Sequence, residues 1–136
     1  MDPQALRDAG VIGVGTDLVE VDRVRDALGR QPGLRERLFT VREWDYAHRH
    51  RDPMPHLAAR FAAKEAVMKA LGRGIDAMSF HEIAVERDDD GRPSVLLSGR
   101  AAEVAESAGV QAWAVSLTHT ARLAQAVALA VGGAGR

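Results

Sequence analysis

The sequence predicts an α+β domain, a largely antiparallel sheet packed against one long central helix. Three observations carry this. Helical and strand-like segments mix without the strict βαβ alternation of a parallel sheet. The stretch from His56 to Leu71 is rich in alanine, free of Gly and internal Pro, and closed by Gly72, so it predicts a long helix. The runs Val110–Leu117 and Leu123–Val131 are almost wholly apolar and read as two closing strands joined through a polar THTA turn.

The remaining elements follow in order. VIGVGT, residues 11–16, is a glycine-punctuated apolar strand ending at Asp17. From about Val19 to Leu28, Val21, Val24 and Leu28 recur at helical spacing, with Gly29 as a stop. Gly33–Phe39 predicts a short helical turn and Val41–His50 another helix. The polar stretch 48–55, with two prolines, is a loop. Phe80–Arg87 alternates as a strand, DDDGRP turns the chain, and Ser94–Leu97 returns. Gly99–Ala108 is the last helix.

The 136 residues form a single domain, 1–136, with 1–10 and 132–136 read as flexible ends. A net charge of -1 without a basic stripe argues against a nucleic-acid partner. No apolar run reaches the ~20 residues of a membrane span. The N-terminus lacks the basic start and apolar core of a secretory signal, and there is no cysteine for disulfides or thiolate zinc sites. This pattern fits a cytoplasmic protein. The apolar closing strands give a small domain more surface than one core can hide, which predicts self-association.

Of 18 basic residues only two, Lys64 and Lys69, are lysines, and they flank Glu65 on the long helix. Either an arginine-rich composition left two survivors, or an ammonium is required there. A lysine can lose its proton when its site depresses the pKa, whereas arginine cannot. At 100° per residue, Lys69 lies about 40° from Glu65, on a face floored by Ala58 and Ala62 with Phe61. The pair is either a surface salt bridge or an acid and a base facing a ligand that the alanines let approach. Lys64 is rotated about 100° from Glu65 and falls less clearly on that face.

Asp17, after a buried strand, is either a helix cap or an oxygen ligand for Mg2+, which takes one or two carboxylates together with phosphates and water. GVGTD lacks the third glycine of a dinucleotide fingerprint, because Leu18 stands there. His119, in SLTHT, is either a phosphate ligand or a surface histidine. His48, His50 and His56 suggest zinc, but a His-x-His pair at a helix end does not put both rings on one face.

GVGTDLVEVDRV (13–24), RFAAKEAVMKALGRGI (60–75) and SLTHT (116–120) together resemble the holo-acyl-carrier-protein synthase family of phosphopantetheinyl transferases, with weaker support from Gly91-Arg92-Pro93. The resemblance implies a compact homotrimer with active sites at subunit interfaces. It implies transfer of 4'-phosphopantetheine from coenzyme A to a serine of an apo acyl carrier protein, in fatty acid or polyketide synthesis. It places Asp17 and Glu65 on Mg2+, with both of them and Lys69 catalytic. Arg60, Lys64, Lys69, Arg92, Pro93 and His119 fall on coenzyme A. Arg23 falls on the carrier, with Arg25 and Arg30 as further docking residues against an acidic partner. Thr120 stands where some relatives carry an acid. Two rival readings stay open on the sequence alone, a non-catalytic coenzyme A binding module and a purely structural trimer.

Overall fold

The structure, a computed structural model, describes residues 2–133. Helix α1 (Pro3–Asp8) leads into strand β1 (Val11–Glu20), followed by α2 (Val21–Arg30), α3 (Leu34–Leu38), α4 (Val41–Ala47) and α5 (Met54–Leu71). A 3-10 turn (Phe80–Glu82) opens β2 (Ile83–Arg87), then come β3 (Pro93–Leu97), α6 (Gly99–Ser107), β4 (Ala112–His119) and β5 (Leu123–Val131). Two antiparallel sheets result: three strands in the order β1-β5-β4, and a separate β2-β3 hairpin. No helix among the described residues is long and apolar enough to cross a membrane.

Several boundaries differ from the sequence reading, for physical reasons. Strand β1 does not end at Asp17. Its ladder with β5 runs on from Asp17↔Ala126 to Glu20↔Leu123, so pairing takes Val19 and Glu20 into the strand, while Val21, Val24 and Leu28 keep their helical spacing in α2. Helix α2 therefore starts later and absorbs Gly29. Phe80–Glu82 is a capped turn, with Ser79 N–H donating to Glu82 Oε1 at 2.8 Å, and not the start of a strand. The leading residues read as a free end hold α1, capped by Asp2 and exposed throughout. The expected flexible tail lies, from residue 134 on, outside the described residues.

Twelve of the eighteen residues of α5 are buried, which explains why its sequence shows alanine on every side and no single apolar stripe. Its inner face meets β1 backbone to backbone. A Cβ on Gly13 would fall 2.0 Å from Ala70 O, and one on Gly15 would fall 1.9 Å from Ala66 O. Alternate strand residues step about 6.7 Å and one helical turn of four residues about 6 Å, so two glycines match two alanines. The next inward position on β1 is Asp17. The close approach that requires Gly13 and Gly15 thus delivers a carboxylate to the flank of α5.

The opposite sheet face is left bare. Val14 is 63% exposed, Leu18 62% and Val127 41%, while Ala124, Ala126, Ala128 and Ala130 are buried under α5. Strand β5 is apolar on two faces apart from Gln125, as its sequence predicts, whereas β4 turns Ser116 and Thr118 outward with two alanines. The outer face of β5 has no cover among the described residues.

Candidate active site

Asp17 from β1, Glu65 and Lys69 from α5, and Arg23 from α2 line one open pocket of about 450 Å3. Its floor is apolar, with Val24, Ala27, Leu38 and Phe61. The Lys69 ammonium donates to Asp17 Oδ1 and to Thr16 O, each at 3.0 Å. The sequence suggested a Glu65–Lys69 pair within one helix turn; the lysine instead bridges helix and strand. Glu65 is half-buried, and burial first, then the negative charge of Asp17, raises its carboxyl above the usual range, with Lys69 opposing. Two carboxylates that disfavour each other's charge, with a desolvated wall behind them, fit a divalent cation with hard oxygen ligands. No group of three or more His, Cys, Asp or Glu side chains suited to a metal occurs among the described residues, so the rest of an Mg2+ shell would come from phosphates and water.

A second cluster lies at the N-terminal half of α5. Arg60 is 4% exposed, its guanidinium sits 4.3 Å over the Tyr46 ring, and its Nε has no hydrogen-bond partner among the described residues. Arg87 stacks on the same ring at 5.0 Å. Arg42, Arg49, Arg60 and Arg87 with Tyr46 line a cavity of about 290 Å3. Beside it, the rings of His50 and His56 stack at 3.6 Å and His119 meets His56 edge-on at 4.8 Å. The loop between α4 and α5 folds the two rings together, which helix spacing alone could not foresee. His56 is pushed down to about 4, by burial first and then by His50, His119, Arg60 and Arg87. Neutral at ordinary pH, it can pack among cations. Sequence reasoning passed over Tyr46 and Arg87 and saw in His56 only a poor zinc ligand, because their roles come from contacts distant in sequence.

Other predicted residues are placed differently. Lys64 does not face a ligand. It is wholly buried, and its ammonium donates to Glu43 Oε1 at 2.8 Å, Phe80 O at 3.0 Å and Ile83 O at 2.6 Å, which uses its three protons. Arg25 is tied to Asp52 at 2.8 Å and to Asp22 at 3.6 Å, so it joins α2 to the loop before α5. Arg23 and Arg30 are exposed. Arg92 and Pro93 stand on the β2–β3 hairpin, away from the residues lining the Asp17 pocket. Thr120 Oγ1 accepts from Leu123 N–H at 3.0 Å and Arg122 N–H at 3.2 Å, so it shapes the turn between β4 and β5.

Residues 13–129 match the family model of the 4'-phosphopantetheinyl transferase superfamily. The chain belongs to this superfamily. A holo-[acyl-carrier-protein] synthase of Streptomyces avermitilis is 47% identical over 122 residues, 90% of this chain and 98% of that protein. One from Caldanaerobacter subterraneus is 41% identical over 122 residues, 90% of this chain and 96% of that protein. Among solved structures, holo-ACP-synthase of Plasmodium yoelii superposes with a TM-score of 0.79 at 30% identity, over 90% of this chain and 96% of that one. The synthase of Bacillus anthracis, solved in complex with CoA (3',5'-ADP), gives 0.74 at 30% identity, over 92% and 100%. The mixed helix and antiparallel sheet expected from the sequence is therefore the 4'-phosphopantetheinyl transferase fold. The matched span contains both α5 clusters and nearly all of the β1–β5–β4 sheet.

Proposed function

We propose that this chain transfers 4'-phosphopantetheine from coenzyme A to a serine of an apo acyl carrier protein, releasing 3',5'-ADP. The observation that carries it is the shared pocket of Asp17, Glu65 and Lys69, two mutually unfavourable carboxylates with a cation beside them. The holo-[acyl-carrier-protein] synthase relatives, some solved with coenzyme A, supply the chemistry.

Asp17 and Glu65 are the residues that would hold Mg2+. A divalent ion held there would supply charge neutralisation to the pyrophosphate of coenzyme A. The serine oxygen forms a bond to the β-phosphorus, and the bond from that phosphorus to the 3',5'-ADP oxygen breaks. Glu65 takes the serine proton. Lys69 offsets the charge that develops on the departing nucleotide. Arg60 and His119 bind its phosphates, and the hairpin with Arg92 and Pro93 adds contacts to coenzyme A. The exposed Arg23 and Arg30 meet the acidic carrier, with Arg25 bracing the loop beside them.

The bare sheet face of Val14, Leu18 and Val127 supports a homotrimer with interfacial sites. Leu18→Lys should shift the mass found by light scattering from three chains toward one; an unchanged mass would remove this face from the assembly. A cytoplasmic location goes with this reading, and a sequence without cysteine fits it. The reaction itself is tested by incubating apo carrier protein with this chain, coenzyme A and Mg2+, and weighing the carrier.

A further inference from the structure

Three elements converge on the Tyr46 ring: α4 supplies Tyr46 itself, α5 supplies Arg60, and β2 supplies Arg87. Both arginines meet the ring by stacking, and each has a backbone tether only within its own helix or hairpin. Arg60 Nη1 donates to His56 O at 3.3 Å and Arg87 Nη1 to Gly91 O at 2.6 Å, so neither tether joins one element to another. Something else must hold the three elements in register.

Behind the cluster, Glu43 and Lys64 form an ion pair at 2.8 Å with both side chains fully buried. Glu43 Oε1 accepts from Thr40 N–H at 2.8 Å, which caps α4, and Oε2 accepts from Val85 N–H at 2.8 Å, which fixes β2. Lys64 adds Ile83 O, also on β2, and Phe80 O in the turn before it. One pair therefore bonds α4, α5 and β2 together. Tyr46 lies three residues after Glu43 on α4, and Arg60 lies four residues before Lys64 on α5. Each is one turn from the pair, on the same side. Arg87 is two residues beyond Val85, on the same face of β2.

We propose that the Glu43–Lys64 pair is a positioning device that holds Arg60 and Arg87 on Tyr46 and so sets the affinity for coenzyme A. This rests on the assignment of Arg60 to a coenzyme A phosphate. The buried, unpartnered Arg60 Nε marks the cluster as a place for an anion. Burial also depresses the Arg60 guanidinium, with Arg87 adding to the effect against the pull of Tyr46 and Glu43. Lysine suits the joint where arginine would not. A compact ammonium reaches three acceptors on separate elements, and a planar fork cannot.

Three variants test this: Lys64→Met, the double variant Glu43→Gln/Lys64→Met, and Tyr46→Leu. Each is followed by thermal unfolding and by calorimetric titration with coenzyme A at a temperature where it is folded. Lys64→Met should unfold earlier and weaken coenzyme A binding by about tenfold, the loss typical when a partner behind a ligating group is removed. The double variant carries no unpaired buried charge and should regain much of the midpoint while binding stays weak. Tyr46→Leu should weaken binding to a similar degree with a midpoint near that of the wild type. Recovery of affinity together with stability in the double variant would reduce the pair to a structural role and overturn the proposal. So would wild-type affinity in Tyr46→Leu, which decides alone if the Lys64 variants do not fold. A wild type that binds no coenzyme A would instead refute the proposed function.

Discussion

Lys69 reaches from α5 to Asp17 on β1, with Nζ 3.0 Å from Oδ1, while Glu65 one turn away on the same helix keeps its carboxylate out of that ion pair. The arrangement separates the two acids of the pocket. Asp17 is partnered and 17% exposed at its side chain; Glu65 is half-buried and raised by burial and by Asp17. A cation that satisfied both would relieve the unfavourable contact between them.

Glu65→Gln removes that unfavourable charge and keeps the shape. The thermal midpoint should stay level or rise, while transfer to carrier protein falls by about 100-fold or more, the contribution expected of a positioned base. Side-by-side melting curves and single-turnover assays decide it. A variant that melted earlier and kept its turnover would contradict the role given to Glu65.

Gly15→Ala probes the approach of β1 to α5. The added methyl would meet the Ala66 carbonyl oxygen, which is backbone on a buried helix and has nowhere to go. A loss of at least about 2 kcal/mol is expected, because overpacking here must push the strand backbone off the helix backbone. Denaturant titration measures it, and a loss within error would show that β1 and α5 pack more loosely than described.

The histidine cluster sets an acid limit. His56 titrates near 4 in the folded protein, against 6.5 for an ordinary histidine. Between these values the unfolded chain binds a proton that the folded chain refuses, so stability falls as pH drops from about 6.5 toward 4. Above 6.5 the group contributes no slope. His56→Gln should flatten the dependence of the melting midpoint on pH in that window. An identical slope in the variant would assign the acid sensitivity elsewhere.

Arg23 and Arg25 should behave differently against the carrier. Arg23 is exposed beside the pocket, whereas Arg25 is occupied by Asp52. Arg23→Glu should raise KM for the carrier, and the gap from wild type should close as salt is added. Arg25→Ala should have the smaller effect on carrier KM. Equal effects at every ionic strength would remove Arg23 from the docking face.

Much of this was readable in the sequence because the signals were local. The alanine-rich stretch closed by Gly72 predicted α5, and the glycines of β1 and the SLTHT segment marked the strands that carry Asp17 and His119, although β4 runs two residues into the expected THTA turn. What escaped depended on distant pairing. Asp17 lies within a strand because β5 extends the ladder, which no spacing on β1 reveals. Lys64 turned inward because Glu43, 21 residues earlier, gives its ammonium a partner. His50 and His56 stack only because the intervening loop folds back. Helical angles place Lys64 about 100° from Glu65, but they do not say which side is filled by α4 and β2.

The most direct test of the account is the mass of an apo acyl carrier protein after incubation with coenzyme A, Mg2+ and either the wild-type chain or Asp17→Ala. The wild type should add one phosphopantetheinyl group per carrier, chelation of the metal should abolish the gain, and Asp17→Ala should leave the carrier unmodified. A carrier of unchanged mass with the folded wild type, or full modification by Asp17→Ala, would contradict it.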